Sequence, residues 1–137
     1  MTSGGSYVLD SFALLAYLGD EAGAGAVQAI LAEAEKHRVE VWMCILSIGE
    51  VLYITERARS LEAAQRVAAL IDQLPVQVVE ADRSLTYSAA HVKAHHSLSY
   101  ADAFAVALAC EVGATVVTGD REFRQVETLV PVRWIGR

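Results

Sequence analysis

Five carboxylates in this chain stand where they can converge. Asp10 ends a short apolar run at residues 7–9, Glu50 lies in LSIGEVLY, Asp102 in SLSYADAFAVALA and Asp120 in TVVTGDREF, with Glu122 two residues further on. Each has a plain structural role open to it. An acid in the first turn of a helix gains about 0.3–1 kcal/mol from the helix dipole. Asp10 can cap a helix, Ser47-x-x-Glu50 and Ser99-x-x-Asp102 both fit a capping box, and Asp120 after Gly119 fits a turn. Gathered in one place, these acids obey a different balance. Two carboxylates about 6 Å apart repel by roughly 3 kcal/mol at an effective dielectric near 20. A cluster of four costs more than its capping contacts return, so either the pKa values rise or a cation sits among them. Oxygen donors without His or Cys suit Mg²⁺ or Mn²⁺. Such ions lower the pKa of water, orient it and neutralise charge as a phosphodiester breaks. The hydroxyls of Ser11 and Thr118 lie next to the acids, where they can orient water. Asp102 is flanked by Ala101 and Ala103 and followed by the apolar run 104–110. A helix that apolar is buried, and acids are almost never fully buried unless paired.

These residues meet only if the elements around them are arranged to that end. Residues 7–9 read as a buried strand, and 11–18 (SFALLAYL) as a helix closed by Gly19. A second helix follows at 26–37, with Val27, Ile30, Leu31 and Ala34 as its buried stripe. Residues 39–45 form the second strand, and Ser47 opens the next helix. Ser60 caps another up to residue 74, where Pro75 stops it. A third strand occupies 76–79. Asp82 caps a helix to about residue 96, and Ser99 one to about 112, closed by Gly113. Residues 115–118 make the fourth strand, 121–125 a short helical turn and 130–134 a final strand. Strands that alternate with helices, and are apolar throughout, predict an α/β fold with a parallel sheet covered on both faces. Ligands of such sheets bind beyond the carboxyl ends of the strands. Asp10 and Asp120 occupy such positions, and they come together if the first and fourth strands are neighbours.

The chain has 137 residues, 54% of them hydrophobic, with a net charge of −6. That length suits a single domain over residues 1–137 with a sizeable core, and the composition excludes disorder. Apolar stretches stop short of the ~18–20 residues of a membrane span, and residues 1–6 lack the basic start of a signal peptide. The expected location is the cytoplasm, away from any membrane. Cys44 and Cys110 match no metal motif and are expected to be buried, reduced thiols. The acidic balance excludes a protein that coats nucleic acid. It does not exclude a nuclease whose carboxylates hold metal, and it suits pairing with a basic partner segment.

His91 and His95 have the spacing of a helical metal pair, with His96 beside them, but no zincin glutamate or third soft ligand accompanies them. They fit a polar helix face with some basic character. Arg57, Arg59 and Arg66 cluster around one helix junction as solvated charges. Arg121 and Arg124 follow Asp120, and Arg121 is near enough to the acids to contact a substrate phosphate. Trp42, Tyr53, Tyr87, Tyr100 and Trp134 suit core or interface positions, with Tyr53 one turn beyond Glu50 at the rim. Ile48, Val51, Leu52, Leu61, Val67, Leu70 and Ile71 divide between core and a groove for a partner helix, in proportions that spacing leaves open.

YVLDSFALLAYL, LSIGEVLY, LSYADAFAVALA and VVTGDREF, in this order along the whole chain, resemble the PIN-domain family, in particular the VapC-type toxins of bacterial toxin–antitoxin pairs. The resemblance implies a three-layer α/β/α sandwich around a parallel sheet of four to five strands. It implies an endoribonuclease dependent on Mg²⁺ or Mn²⁺, with Asp10, Glu50, Asp102 and Asp120 at the acidic metal-binding positions and Ser11, Thr118 and Glu122 at supporting ones. Water would attack phosphorus in line and leave a 5′-phosphate on tRNA, ribosomal RNA or mRNA. The toxin would be a homodimer, held by a VapB-like antitoxin that covers the active site. Many relatives carry asparagine where this chain has Ser47, and serine can cap the helix equally well. Two other classes compete. A Mg²⁺-dependent phosphatase requires a second aspartate two residues after the first and a lysine partner, neither of which follows Asp10. A catalytically inactive PIN-like module that binds RNA or protein is marked by a lost acid, and none is lost here.

Overall fold

In the computed structural model, which describes residues 5–136, five parallel strands form one sheet. The strands are β1 (Ser6–Leu9), β2 (Glu40–Cys44), β3 (Gln77–Val79), β4 (Thr115–Thr118) and β5 (Val132–Trp134). The helices are α1 (Ser11–Leu18), α2 (Ala24–Glu35), α3 (Ile45–Ala58), α4 (Leu61–Ile71), α5 (Arg83–His95) and α6 (Tyr100–Val112), with a 3₁₀ turn at Arg121–Val126. The spatial order of the strands is β3-β2-β1-β4-β5. β1 is therefore central: Val8 pairs with Trp42 of β2 on one side and with Val116 of β4 on the other.

The period-two alternation of strand side chains divides the core into two layers. Val8, Cys44 and Val116 face α5 and α6, together with Leu85, Phe104, Leu108 and Phe123. Leu9, Val41, Met43 and Val117 face the other way, onto Leu14, Val27, Leu31, Ile48, Val51 and Ile71 of α1 to α4. This is the α/β/α sandwich expected from the sequence. Leaving β1, the chain winds outward through β2 and β3, with α1 to α4 over one face. It then crosses back to β4, on the other side of β1, with α5 and α6 over the opposite face. The winding reverses between β1 and β4, and the carboxyl ends of the strands at such a reversal open a crevice. α6 is buried continuously over residues 102–109, and its alternating alanines let it approach both the sheet and α5 closely. Among the described residues, no helix is long and apolar enough to cross a membrane.

Local signals explain most boundaries. Asp10, Ser60, Asp82 and Ser99 each accept a backbone N–H from three residues on, capping α1, α4, α5 and α6. Gly113, at φ 69°, closes α6 in the left-handed region that glycine tolerates. The expected start of α3 is corrected. The helix begins at Ile45, directly after β2, with Cys44 at its cap and no side-chain cap bond. Ser47 is instead buried in the first turn. Ile45 and Leu46 pack against the core there, and that burial outweighs the capping pattern. α2 starts at Ala24 rather than 26 and stops at Glu35, because His37 turns into the left-handed region at φ 59°. α4 ends at Ile71, ahead of Pro75, and β5 begins only after Pro131. β3 is an edge strand with Gln77 and Val78 exposed, so its apolar run is not covered on both faces. Cys44 is buried, but Cys110 is exposed. Cys110 and Glu111 lie on the outer side of the last turn of α6, whose Val112 still packs against the core.

Gly119 links β4 to the acids that follow, and it tolerates no side chain. A Cβ there would collide with the Phe12 ring and lie 2.8 Å from the Ile135 carbonyl oxygen. The half-exposed ring can swing aside, but the carbonyl belongs to the backbone that leaves β5. Gly119→Ala is expected to destabilise the fold by about 1–3 kcal/mol, read from the urea midpoint. An unchanged midpoint would show that the β4–β5 exit is free to move.

Candidate metal centre

Asp10 is held from two sides. One carboxylate oxygen accepts the Ala13 N–H at 2.8 Å, as the cap of α1. The other accepts the hydroxyl of Thr118, the last residue of β4. That hydroxyl oxygen in turn accepts the Asp120 N–H at 3.0 Å. One threonine thus ties the ends of the two strands at the reversal and aims the chain that carries Asp120. Asp10 and Thr118 are both essentially inaccessible to solvent.

Across the crevice, Asp102 sits in the first turn of α6, where Ser99 accepts its N–H at 3.1 Å. Asp120 caps the 3₁₀ turn by accepting the Glu122 N–H at 3.0 Å. Carboxylate oxygens of Asp102, Asp120 and Glu122 lie within 4.8 Å of one another. This trio runs from buried through half-buried to exposed, so it opens to solvent on one side. Glu50, in the second turn of α3, accepts the Ser11 hydroxyl at 2.6 Å and acts electrostatically on Asp102.

The predicted acids lie around one crevice, three of them within reach of a single ion. Glu122, read as a supporting residue, joins Asp102 and Asp120 in the tight trio. Asp10 and Glu50 stand behind it, each bound to a hydroxyl. The sequence signal for Glu122 is its two-residue spacing from Asp120 at the start of a 3₁₀ turn, which bends its backbone N–H onto the Asp120 carboxylate. Thr118 is more than a supporting neighbour, since it bonds to both Asp10 and the Asp120 backbone. Arg121 and Arg124 are exposed and line a separate pocket with Gly119, Trp134 and Gly136. His91 and His95 stack edge to face at 4.9 Å, and His96 bonds to the Val92 carbonyl through Nδ1 at 3.0 Å. Among the described residues, no histidine joins an acidic or thiol group of metal-binding geometry.

Burial pushes the Asp10 carboxyl up to about 8, aided by repulsion from Asp102 and Asp120 and opposed by its bonds to Thr118 and Ala13. Burial also raises Asp102 to about 6, with Asp120, Glu50 and Glu122 adding repulsion and Ser99 opposing it. Among the described residues, the ion pair between Arg38 and Glu33 lies away from these acids. Oxygen donors, excess negative charge and one open side fit a hard divalent cation such as Mg²⁺ or Mn²⁺.

The sign of the pH dependence follows. Both carboxyls titrate above the ordinary aspartate value of 3.8, so the metal-free fold prefers them protonated. Their contribution to stability is intact below about pH 4 and is lost as pH rises through about 6 for Asp102 and 8 for Asp10. The Tm of metal-free protein should fall between about pH 5 and 8.5, and Mn²⁺ should raise Tm more at the upper end, because it binds the ionised acids. Equal Mn²⁺ effects at both ends would show that these carboxyls are not held protonated.

The family model described as PIN domain matches residues 7–129. No curated protein sequence matches the chain. Among solved structures, VapBC2 from Rickettsia felis bound to a promoter DNA fragment aligns with a TM-score of 0.73 at 12% identity, over 95% of this chain and 98% of that one. DNA-bound VapBC from Salmonella typhimurium aligns at 0.72 and 14% identity, over 97% and 98%. VapC20 from Mycobacterium tuberculosis, a sarcin–ricin loop cleaving toxin, aligns at 0.70 and 21% identity, over 88% and 94%. These likenesses establish a shared fold, and the match over residues 7–129 carries the assignment: the chain belongs to the PIN-domain family.

Proposed function

We propose that the protein is an endoribonuclease dependent on Mg²⁺ or Mn²⁺, the toxin of a toxin–antitoxin pair, and that it works as a homodimer. The observation that carries the reading is the carboxylate trio at the sheet reversal, backed by Asp10 and Glu50, with the Asp10 and Asp102 carboxyls pushed up. Held together, these acids repel one another, and a cation among them would relieve that repulsion. Asp102, Asp120 and Glu122 would offer oxygens to the ion, with Asp10 and Glu50 completing the negative field. A divalent ion bound there would neutralise the acids, lower the pKa of water and offset the charge that builds on a phosphodiester. Thr118 keeps Asp10 fixed, and Ser11 keeps Glu50 turned towards the centre. The open side at Glu122 admits a strand of RNA, whereas the buried side at Asp10 excludes water.

The known structures support both halves of this reading. VapC20 is a sarcin–ricin loop cleaving toxin, and the Rickettsia and Salmonella structures are VapBC bound to DNA. A groove of about 510 Å³ between α1, α3 and α4 supports a protein partner. Leu15, Leu18, Ile54, Val67 and Leu70 line it, with Arg59 and Arg66 at its side. Ile48, Val51 and Ile71 lie in the core instead. The groove suits the apolar face of a VapB-like antitoxin helix.

The test is cleavage of total cellular RNA by purified protein with Mg²⁺, Mn²⁺ or EDTA, beside Asp102→Asn and Asp10→Asn. Discrete fragments are expected only with metal, and either substitution should cut the rate by at least about 100-fold. The variants should keep their circular dichroism, since each removes a buried ionisable group. Absence of cleavage from folded protein free of inhibitor, with weak Mn²⁺ binding in calorimetry, would replace this reading with a non-catalytic PIN-like binding module.

A further inference from the structure

The 3₁₀ turn Arg121–Val126 sorts its side chains in threes, because residues i and i+3 eclipse in such a helix. Phe123 and Val126 form the buried face. Glu122 and Gln125 form a second face: Glu122 belongs to the carboxylate trio, and Gln125 accepts the Ser97 N–H at 2.9 Å in the loop before α6. The third face carries Arg121 and Arg124, both exposed, into a pocket of about 410 Å³. Gly119, Ile135 and Gly136 line that pocket beside them, so backbone is accessible on its floor, and Trp134 and Glu127 close it. Glu127 is the acid that could neutralise the arginines. It accepts the Trp134 indole N–H at 2.9 Å and, among the described residues, forms no ion pair with either guanidinium. In a chain of net charge −6, this face sets two exposed guanidinium groups beside an acidic crevice.

The location gives this face its meaning. The pocket lies past the carboxyl ends of β4 and β5, and the carboxylates lie past those of β1 and β4. The two sites are successive positions along one edge of the sheet, separated by the backbone of Gly119 and Asp120. We propose that Arg121 and Arg124 form a phosphate-binding notch that grips the RNA backbone next to the scissile bond, on the β5 side of the metal centre. This rests on the ribonuclease reading and adds to it a direction for the strand, from the carboxylates towards β5. Guanidinium groups suit the role because each presents a planar fork of N–H donors to phosphate oxygens. The notch would place positive charge directly beside the acids of an acidic protein.

The test measures binding of a fluorescent single-stranded RNA by the Asp102→Asn protein across a series of NaCl concentrations. Adding Arg121→Gln and Arg124→Gln should weaken binding by about 10-fold or more and reduce the slope of log Kd against log [NaCl] by about 1. Adding Arg121→Lys and Arg124→Lys, which keeps the charge, should preserve the slope. In the otherwise wild-type protein, the two glutamine substitutions should leave Mn²⁺ affinity unchanged in calorimetry. If wild-type protein cleaves RNA but the glutamine substitutions leave slope and affinity unchanged, the notch is wrong and the nuclease reading stands. Weakened binding with an unchanged slope would assign the arginines a structural role and overturn the notch as well. Failure of the parent to bind or cleave RNA would remove the nuclease reading and the notch together.

Discussion

Thr118 donates its hydroxyl to a carboxylate that no water reaches, at the place where the winding of the sheet reverses. From that bond the rest of the centre takes its position. It fixes Asp10 at the end of β1 and, through the same oxygen, the backbone of Asp120. It also sets the exit of β4, which must pass beneath Phe12 with no side chain at Gly119. The apolar layers on either side of β1 and β4 make this possible, because they hold the two strand ends in register while the polar groups between them are dehydrated. Neutral hydrogen bonds would tolerate such a place easily. A carboxylate does so only by staying protonated or by sharing a cation.

Fold stability and the capacity for chemistry are therefore opposed at one point. The carboxylates whose charge helps to push up Asp10 and Asp102 are among the groups a cation would bind. The fold accepts their repulsion because α6, buried along most of its length, holds Asp102 against the sheet from one side, and the cap of α1 holds Asp10 from the other. The centre is rigid where it is buried and open at Glu122. That gradient suits the admission of a flexible anionic strand without disturbing the acids beneath.

Much of this was legible in the sequence, for identifiable reasons. Apolar runs flanked by caps and glycines located every strand and helix, because burial and capping act over a few residues. Asp102 was conspicuous because an acid within an alanine-rich helix has no ordinary place. The errors occurred where tertiary burial outweighed local pattern. Ser47 matched a cap, but Ile45 and Leu46 found core contacts and started the helix two residues earlier. Cys110 continued an apolar run but fell on the outer side of α6. The grouping of Glu122 with Asp102 and Asp120, and the pairing of Arg121 with Arg124 above Gly136, depend on a 3₁₀ turn lying between two strand ends. No spacing rule conveys that placement.

The Asp10–Thr118 bond spans 108 positions of the chain, and this separation governs when the centre can exist. During synthesis, Asp10 and Glu50 emerge long before Asp102, Asp120 and Glu122. A half-made chain can form β1, β2 and their helices, but it lacks the strand that completes the crevice. Closure over so many residues is entropically slow to begin, and it becomes favourable only when β4 docks beside β1 and buries Val116 and Val117. The five acids can thus share one crevice only once β4 has docked beside β1, so the centre depends on the closure of the whole sheet rather than on any local segment.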